Sequence, residues 1–485
     1  MTGHLFFGYG IISERKNSDK RCSYMSIVAG YMVPHPPLII PEIGRGKELQ
    51  VEETIKAYEK VAEEIADIKP ETLVILSPHS VMYADYFHIS PGKSAFGNFA
   101  GFGAAGVTLK EEYDEMLRDE ICRLADCEDF PAGTMGERDS SLDHGTMVPL
   151  WYIRRKYDGG KIIRIGLSAL PLIDHYRLGM IIRDAAENTG RKVAIVASGD
   201  LSHKLREYGP YGFEPEGPEY DARIMDVMGR ASFGELLDFD NRFCEKAAEC
   251  GHRSFVIMAG AFDGMSVKSS MLSHQDVTGV GYGICTFYPE AADDSRHFLD
   301  KKLSEIEDEL RTSREDSDEY VKLARDAIEA YVSRDITIDV PEGLPKEMTD
   351  NMAGAFVSIH KLGELRGCIG TISPTKVSVA KEIIDNGISA ATKDPRFPEI
   401  TKDELPWLDI SVDVLGRPED IDSKDELDIK RYGVIVSSGY KRGLLLPDLD
   451  GIESVDQQID IARRKAGIGE DEEYTLQRFE VIRHH

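Results

Sequence analysis

Three short apolar runs each break into a polar loop that carries a histidine. Ser26-Ile-Val-Ala-Gly-Tyr-Met-Val33 leads into Pro34-His35-Pro36-Pro37. Thr72-Leu-Val-Ile-Leu76 leads into Ser77-Pro78-His79-Ser80, and Val193-Ala-Ile-Val-Ala197 into Ser198-Gly199-Asp200-Leu201-Ser202-His203. Runs without polar alternation predict strands buried on both faces, as in a parallel sheet. Between the first two, apolar residues at three- and four-residue spacing (Leu49, Ile55, Tyr58, Ala62, Ile65) predict a helix over 47–68. A right-handed crossover then puts His35 and His79 on the same edge of one sheet. Further helices are predicted up to Tyr157, over 174–189, over 218–229 and over 255–262, with strands over 161–169 and 278–287. This alternation predicts an α/β domain over residues 25–290, with a mostly parallel central sheet and helices on both faces.

The pattern changes at 291–317. From Ala291 to Glu319 there are 11 Asp or Glu and 5 Lys or Arg, with Leu299, Leu303, Ile306 and Leu310 at helical spacing, so a charged helical linker is expected. Residues 318–485 mix an amphipathic helix (320–332) with strand-like runs at 355–360, 365–370, 409–415 and 432–436 and a hairpin near Gly439, an α+β pattern. Residues 1–24 precede the first strand and read as an N-terminal extension, or as the product of an upstream start codon.

The net charge of −28 over 485 residues argues against nucleic acid and against an anionic membrane surface, both of which need Lys and Arg. Seven scattered cysteines without a CxxC fit a reducing compartment, so a cytoplasmic location is expected. Apolar runs fall short of a membrane span, and the stretch from Leu5 to Ile12 lacks the basic flank of a signal peptide.

The histidines supply the candidate chemistry. In open α/β sheets, ligands gather at the carboxyl ends of the strands. Two imidazoles and a carboxylate on one face of a metal leave positions free for substrate and dioxygen. His35 and His79 are the candidate ligands. Glu249, just before the apolar helix at 255–262, is the candidate carboxylate, with Cys250 as its rival and the maker of a softer site. His203 and His144 would remain for acid–base work. Zinc could use the same ligands, and spacing does not separate it from iron. The sequence Gly101-Phe-Gly-Ala-Ala-Gly106 has a nucleotide-fingerprint spacing but no strand immediately before and no helix after. It reads as an aromatic loop over a site, or as plain connection.

These residues carry a resemblance. Pro34-His35-Pro36-Pro37, Ser77-Pro78-His79-Ser80, Leu142-Asp143-His144-Gly145 with Pro149-Leu150, and Ser198 to His203 together resemble the class III extradiol ring-cleavage dioxygenases of the protocatechuate 4,5-dioxygenase type. The resemblance implies a non-haem Fe(II) held by His35, His79 and Glu249, with a catechol-type aromatic substrate and dioxygen. It also implies His203 as the acid–base residue and His144 as a substrate contact or proton donor. Cys250-Gly251 is also similar to the Memo family, which shares the fold and has a cysteine there; that likeness implies a metal-binding protein, with zinc or copper as rivals to iron, in a modification or redox pathway without ring cleavage.

The second half resembles the AMME syndrome candidate gene 1 (AMMECR) domain through Leu365-Arg366-Gly367-Cys368-Ile369-Gly370, Asp394-Pro395-Arg396-Phe397-Pro398, Arg417-Pro418-Glu419 and Gly443-Leu-Leu-Leu-Pro447. Arg366, Cys368, Arg396 and Arg442 are its candidate site, unless these motifs only fix turns. That family often accompanies radical SAM proteins, which implies a partner of that kind. A homo-oligomer is a second assembly left open.

Overall fold

The computed structural model describes residues 25–449 and 451–485. The expected extension at 1–24 lies outside the described residues. Two compact units share the chain, one ending at Ser304 and the other beginning at Glu305. The division falls inside the helix Phe298–Asp316, within the stretch expected to be a charged helical linker.

The first unit is built on a six-stranded sheet. Its order is Lys161–Gly166, Thr72–Ser77, Val193–Ser198, Ile27–Val33, Tyr282–Ala292, Met265–Gln275. The first four strands are parallel and the last two antiparallel. The three histidine-bearing strands are therefore neighbours, with Val193–Ser198 in the middle. Their registers, Val33 against Ser198 and Leu76 against Ala197, end all three on the same edge.

Alternate residues of these strands face opposite layers. Ala29, Tyr31, Leu73, Ile75, Ala194 and Val196 pack on the helices Glu52–Ile68 and His144–Arg154. The other face meets the helix His252–Gly260, on which the helix Leu172–Thr189 packs. At Gly30 a Cβ would stand 2.7 Å from the ring of Phe262, so the helical layer lies directly on the sheet there. Among the described residues, no helix is long and apolar enough to cross a membrane.

The second unit is a curled antiparallel sheet with helices. The strand order is Glu364–Gly370, Ala355–Lys361, Leu408–Leu415, Thr475–His484, Tyr432–Ser438, Lys441–Leu445, with Glu419–Ile421 beside Thr475–His484. One apolar cluster packs the helices Glu319–Arg334 and Val379–Thr392 on the first strands. Another packs the helix Val455–Ala466 on the last ones. Phe356, from the second strand of the order, and Leu444, from the last, both pack on a third cluster of Leu415, Ile435 and Phe479, in keeping with the curl.

Candidate metal centre

His35 follows the strand Ile27–Val33 between prolines that fix its backbone. It is buried, 2% exposed. Tyr58 donates its hydroxyl proton to the Pro34 carbonyl, and the His35 amide donates to Asp200 Oδ1 at 2.8 Å. Its ring Nδ1 lies 3.0 Å from Ser198 Oγ. The opposite nitrogen, Nε2, lies 2.9 Å from His79 Nε2.

His79 sits on the turn after Thr72–Ser77, its amide donating to Ser77 Oγ at 3.2 Å, and its side chain reaches solvent. Cys250 Sγ lies 3.6 Å from His35 Nε2. It is held by Asp200 on both sides: the Asp200 amide donates to Sγ at 3.3 Å, and the Cys250 amide donates to the Asp200 carbonyl at 3.3 Å. Ligand atoms of His35, His79 and Cys250 all lie within 4.8 Å of one another.

Glu249 is placed differently from the sequence expectation. Its carboxylate accepts from the His252 amide at 2.6 Å, at the open N-terminus of the helix His252–Gly260. Two forces direct it there. The first-turn N–H groups lack helical partners, and the helix dipole favours an anion beside them. Ala248, in the left-handed conformation at φ 52°, turns the chain so that Cys250, and not Glu249, joins the two imidazoles. Of the two third-ligand candidates, Cys250 is thus the one that lies beside the imidazoles.

His144 and His203 flank this cluster. His144 opens the helix His144–Arg154, and its ring stands 3.9 Å from that of His79 and 5.5 Å from that of His35, centroid to centroid. Phe102, at the tip of the hairpin formed by Ser94–Phe99 and Ala104–Glu112, lies 5.2 Å from the His144 ring. The GxGxxG stretch is thus an aromatic hairpin tip at the site. His203 stacks on Tyr211 at 5.0 Å, and its buried Nε2 has no hydrogen-bond partner among the described residues.

Burial keeps these groups neutral. His35 is driven well below the usual imidazole range by burial and by its histidine neighbours. Burial and the charge of His79 bring both His144 and His203 down to about 4. The Cys250 thiol is pushed well up by burial and by the nearby Asp200 and Glu249 charges. Neutral imidazoles keep the lone pairs a metal needs, and a cation would supply the positive charge that a Cys250 thiolate needs here. Ligand atoms around one tetrahedral ion stand roughly 3–4 Å apart; His35 Nε2 lies 2.9 Å from His79 Nε2 and 3.6 Å from Cys250 Sγ, so the donor set could hold a single ion.

Three supporting residues had no role assigned from sequence. Ser77 and Ser198 close adjacent strands, and their position beside the histidine loops was their only sequence signal. Arg164 is 1% exposed inside the strand Lys161–Gly166. It donates to Ser90 Oγ at 2.7 Å and to the carbonyls of Ser141 and Asp139, holding the loop that leads to His144. A charge inside an apolar strand was the signal there.

In the second unit, Arg366, Cys368 and Arg396 are brought together. Arg366 forks onto Glu404 at 2.9 and 3.0 Å. Arg396 forks onto Asp394 at 2.9 and 2.7 Å. Asp394 also accepts from the Cys368 amide at 2.9 Å. These bonds tie the signature strand Glu364–Gly370 to residues 394–404. Arg442 stands apart, on the edge strand at the other end of the sheet order, donating to Gln477 at 3.1 Å.

A mostly parallel α/β sheet with histidines clustered at its strand ends, where His35, His79 and Cys250 could hold a metal ion, defines the class of the first unit, and the comparisons specify it. Residues 29–285 match the family described as the catalytic LigB subunit of aromatic ring-opening dioxygenase, and residues 321–484 match AMMECR1. The chain belongs to the LigB family and carries an AMMECR1 domain after it. Protein CA_C1420 of Clostridium acetobutylicum is 40% identical over 473 residues, covering 95% of this chain and 99% of that one. A Thermotoga maritima protein is 50% identical over 167 residues, 34% of this chain and 96% of its own. The crystal structure of the uncharacterized protein PH0010 from Pyrococcus horikoshii covers 34% of this chain and 88% of its own at 30% identity, with a TM-score of 0.32.

Proposed function

We propose that His35, His79 and Cys250 hold one transition-metal ion, and that the protein is a Memo-like metal-binding protein of a redox or modification pathway, without ring-cleavage activity. The observation that carries the reading is the place of Cys250 in the cluster while Glu249 is bound to a helix N-terminus. Two imidazoles and a thiolate are a softer set than two imidazoles and a carboxylate, and favour zinc or copper over iron(II). Such an ion supplies Lewis acidity or one-electron chemistry when bound. Around it, the chain's own neutral His144 and His203 are placed to accept or return a proton, His203 at an Nε2 without a hydrogen-bond partner among the described residues. Phe102 and Tyr211 wall the approach with apolar rings.

The test is metal analysis of anaerobically purified full-length protein and of His35→Ala, followed by oxygen uptake with a panel of catechols. About one zinc or copper per chain, lost in the variant, with no catechol-dependent uptake of the metal-loaded protein, is expected. Iron-dependent uptake with ring opening would overturn the proposal in favour of an extradiol dioxygenase.

A further inference from the structure

We infer that Ser198 is a positioning residue for the proposed centre, one that fixes the tautomer and ring plane of His35. The inference rests on the metal reading above for its consequence, but not for its geometry. Ser198 ends the strand Val193–Ser198 and is fully buried. A serine hydroxyl has one proton and two acceptor lone pairs. Ser198 gives its proton to the Gly145 carbonyl at 2.6 Å. Its contact with His35 Nδ1 at 3.0 Å therefore has the ring donating. With the proton on Nδ1, neutral His35 presents a bare lone pair at Nε2, the atom 2.9 Å from His79 Nε2 and 3.6 Å from Cys250 Sγ. Among the described residues, this is the one hydrogen bond of the ring outside the cluster.

Ser77 provides an internal comparison. It closes the adjacent strand and engages the same helix start, donating to Asp143 Oδ1 at 2.5 Å. Among the described residues it accepts only from the backbone amide of His79, at 3.2 Å, and does not hold that ring. The two serines thus tie the two histidine-bearing strand ends to the helix His144–Arg154, but only Ser198 sets the direction of a ligand lone pair. Partners that orient a ligating imidazole typically change metal affinity 10–100-fold.

The experiment uses full-length wild type, Ser198→Ala, Ser198→Thr and Ser77→Ala. Cobalt(II) is the probe metal, and 15N-histidine spectra of the apo protein report the His35 tautomer, assigned through His35→Gln. The expected result is a cobalt dissociation constant raised about 10–100-fold in Ser198→Ala, with the thiolate-to-cobalt absorption kept, restoration by Ser198→Thr, and a near wild-type value for Ser77→Ala. Apo wild type is expected to show His35 protonated at Nδ1 alone, and Ser198→Ala to show both tautomers. Wild-type cobalt affinity in Ser198→Ala, or both tautomers in wild type, would overturn the inference. If wild type takes no cobalt, the metal reading fails and the nitrogen spectra alone decide: one tautomer in wild type and two in Ser198→Ala sustain the role of Ser198, and any other pattern overturns it.

Discussion

Glu249 and Cys250 are adjacent, yet one sits at a helix end and the other in the cluster. Glu249 is half-buried, and its carboxyl is pushed up to about 7 by burial, against the pull of the amides it accepts from. Replacing it with alanine removes the acceptor at the helix start. A loss of roughly 1–2 kcal/mol at pH 6, below the raised carboxyl value, with metal content unchanged, is expected from urea titration and elemental analysis. Metal lost in Glu249→Ala would restore it as a ligand. Sequence placed both residues near the site, because both precede an apolar helix. It could not rank them, since the choice depends on one left-handed residue, Ala248, in a stretch with no glycine to signal it. His35, His79, His144 and His203 were legible for the opposite reason: each follows from a strand end or a helix start that the hydrophobic pattern already marks.

At the scale of elements, close backbone contacts decide which neighbours the site can have. A Cβ on Gly199 would stand 2.0 Å from the Gly251 Cα, so the loop after Val193–Ser198 and the loop carrying Cys250 pass backbone to backbone. A Cβ on Gly367 would stand 2.3 Å from the Ala390 carbonyl, where the signature strand lies on the helix Val379–Thr392. Gly367→Ala is therefore expected to destabilise the second unit by about 1–3 kcal/mol, the usual cost of forcing bulk into a packed contact. Thermal unfolding checks it, and an unchanged midpoint would contradict the packing. The strands of both motifs could be read from hydrophobic runs. The reason for their glycines could not, because the opposing surface lies 52 residues away in one case and 23 in the other.

Across the whole molecule, the two units should respond to acid in different windows. Burial holds His175 down to about 3 and His252 to about 4, with His144 and His203 also near 4. Their folded-state values lie below the ordinary 6.5, so their contribution is present above pH 6.5 and drains as pH falls toward 4. Asp200 and Glu249, both raised to about 7 by burial, and Asp221, also raised by burial, work the other way, but with His35 and His79 also lowered by burial six imidazoles outnumber three carboxylates. Each net proton is worth about 1.4 kcal/mol per pH unit.

In the second unit, burial would raise Glu404, but Arg366 and Lys361 outweigh it and bring it down to about 2. That contribution persists above pH 4.5 and drains as pH falls toward 2. Hydrogen exchange on the full chain from pH 6.5 to 4.5 is expected to show protection falling in residues 25–304 while it holds in residues 305–485. Loss in the reverse order would contradict the assignment. The division into an α/β and an α+β part was visible in the change from unbroken to mixed patterns, whereas the curl of the second sheet was not, since strand order there depends on pairings between distant segments.

In the proposed centre a thiolate, with two imidazoles, binds the metal. X-ray absorption on the metal-loaded protein tests it most directly. A sulfur shell at about 2.3 Å in wild type, absent from Cys250→Ser and present in Glu249→Ala, is the expected result. Only nitrogen and oxygen at roughly 2.0–2.2 Å in wild type would contradict it.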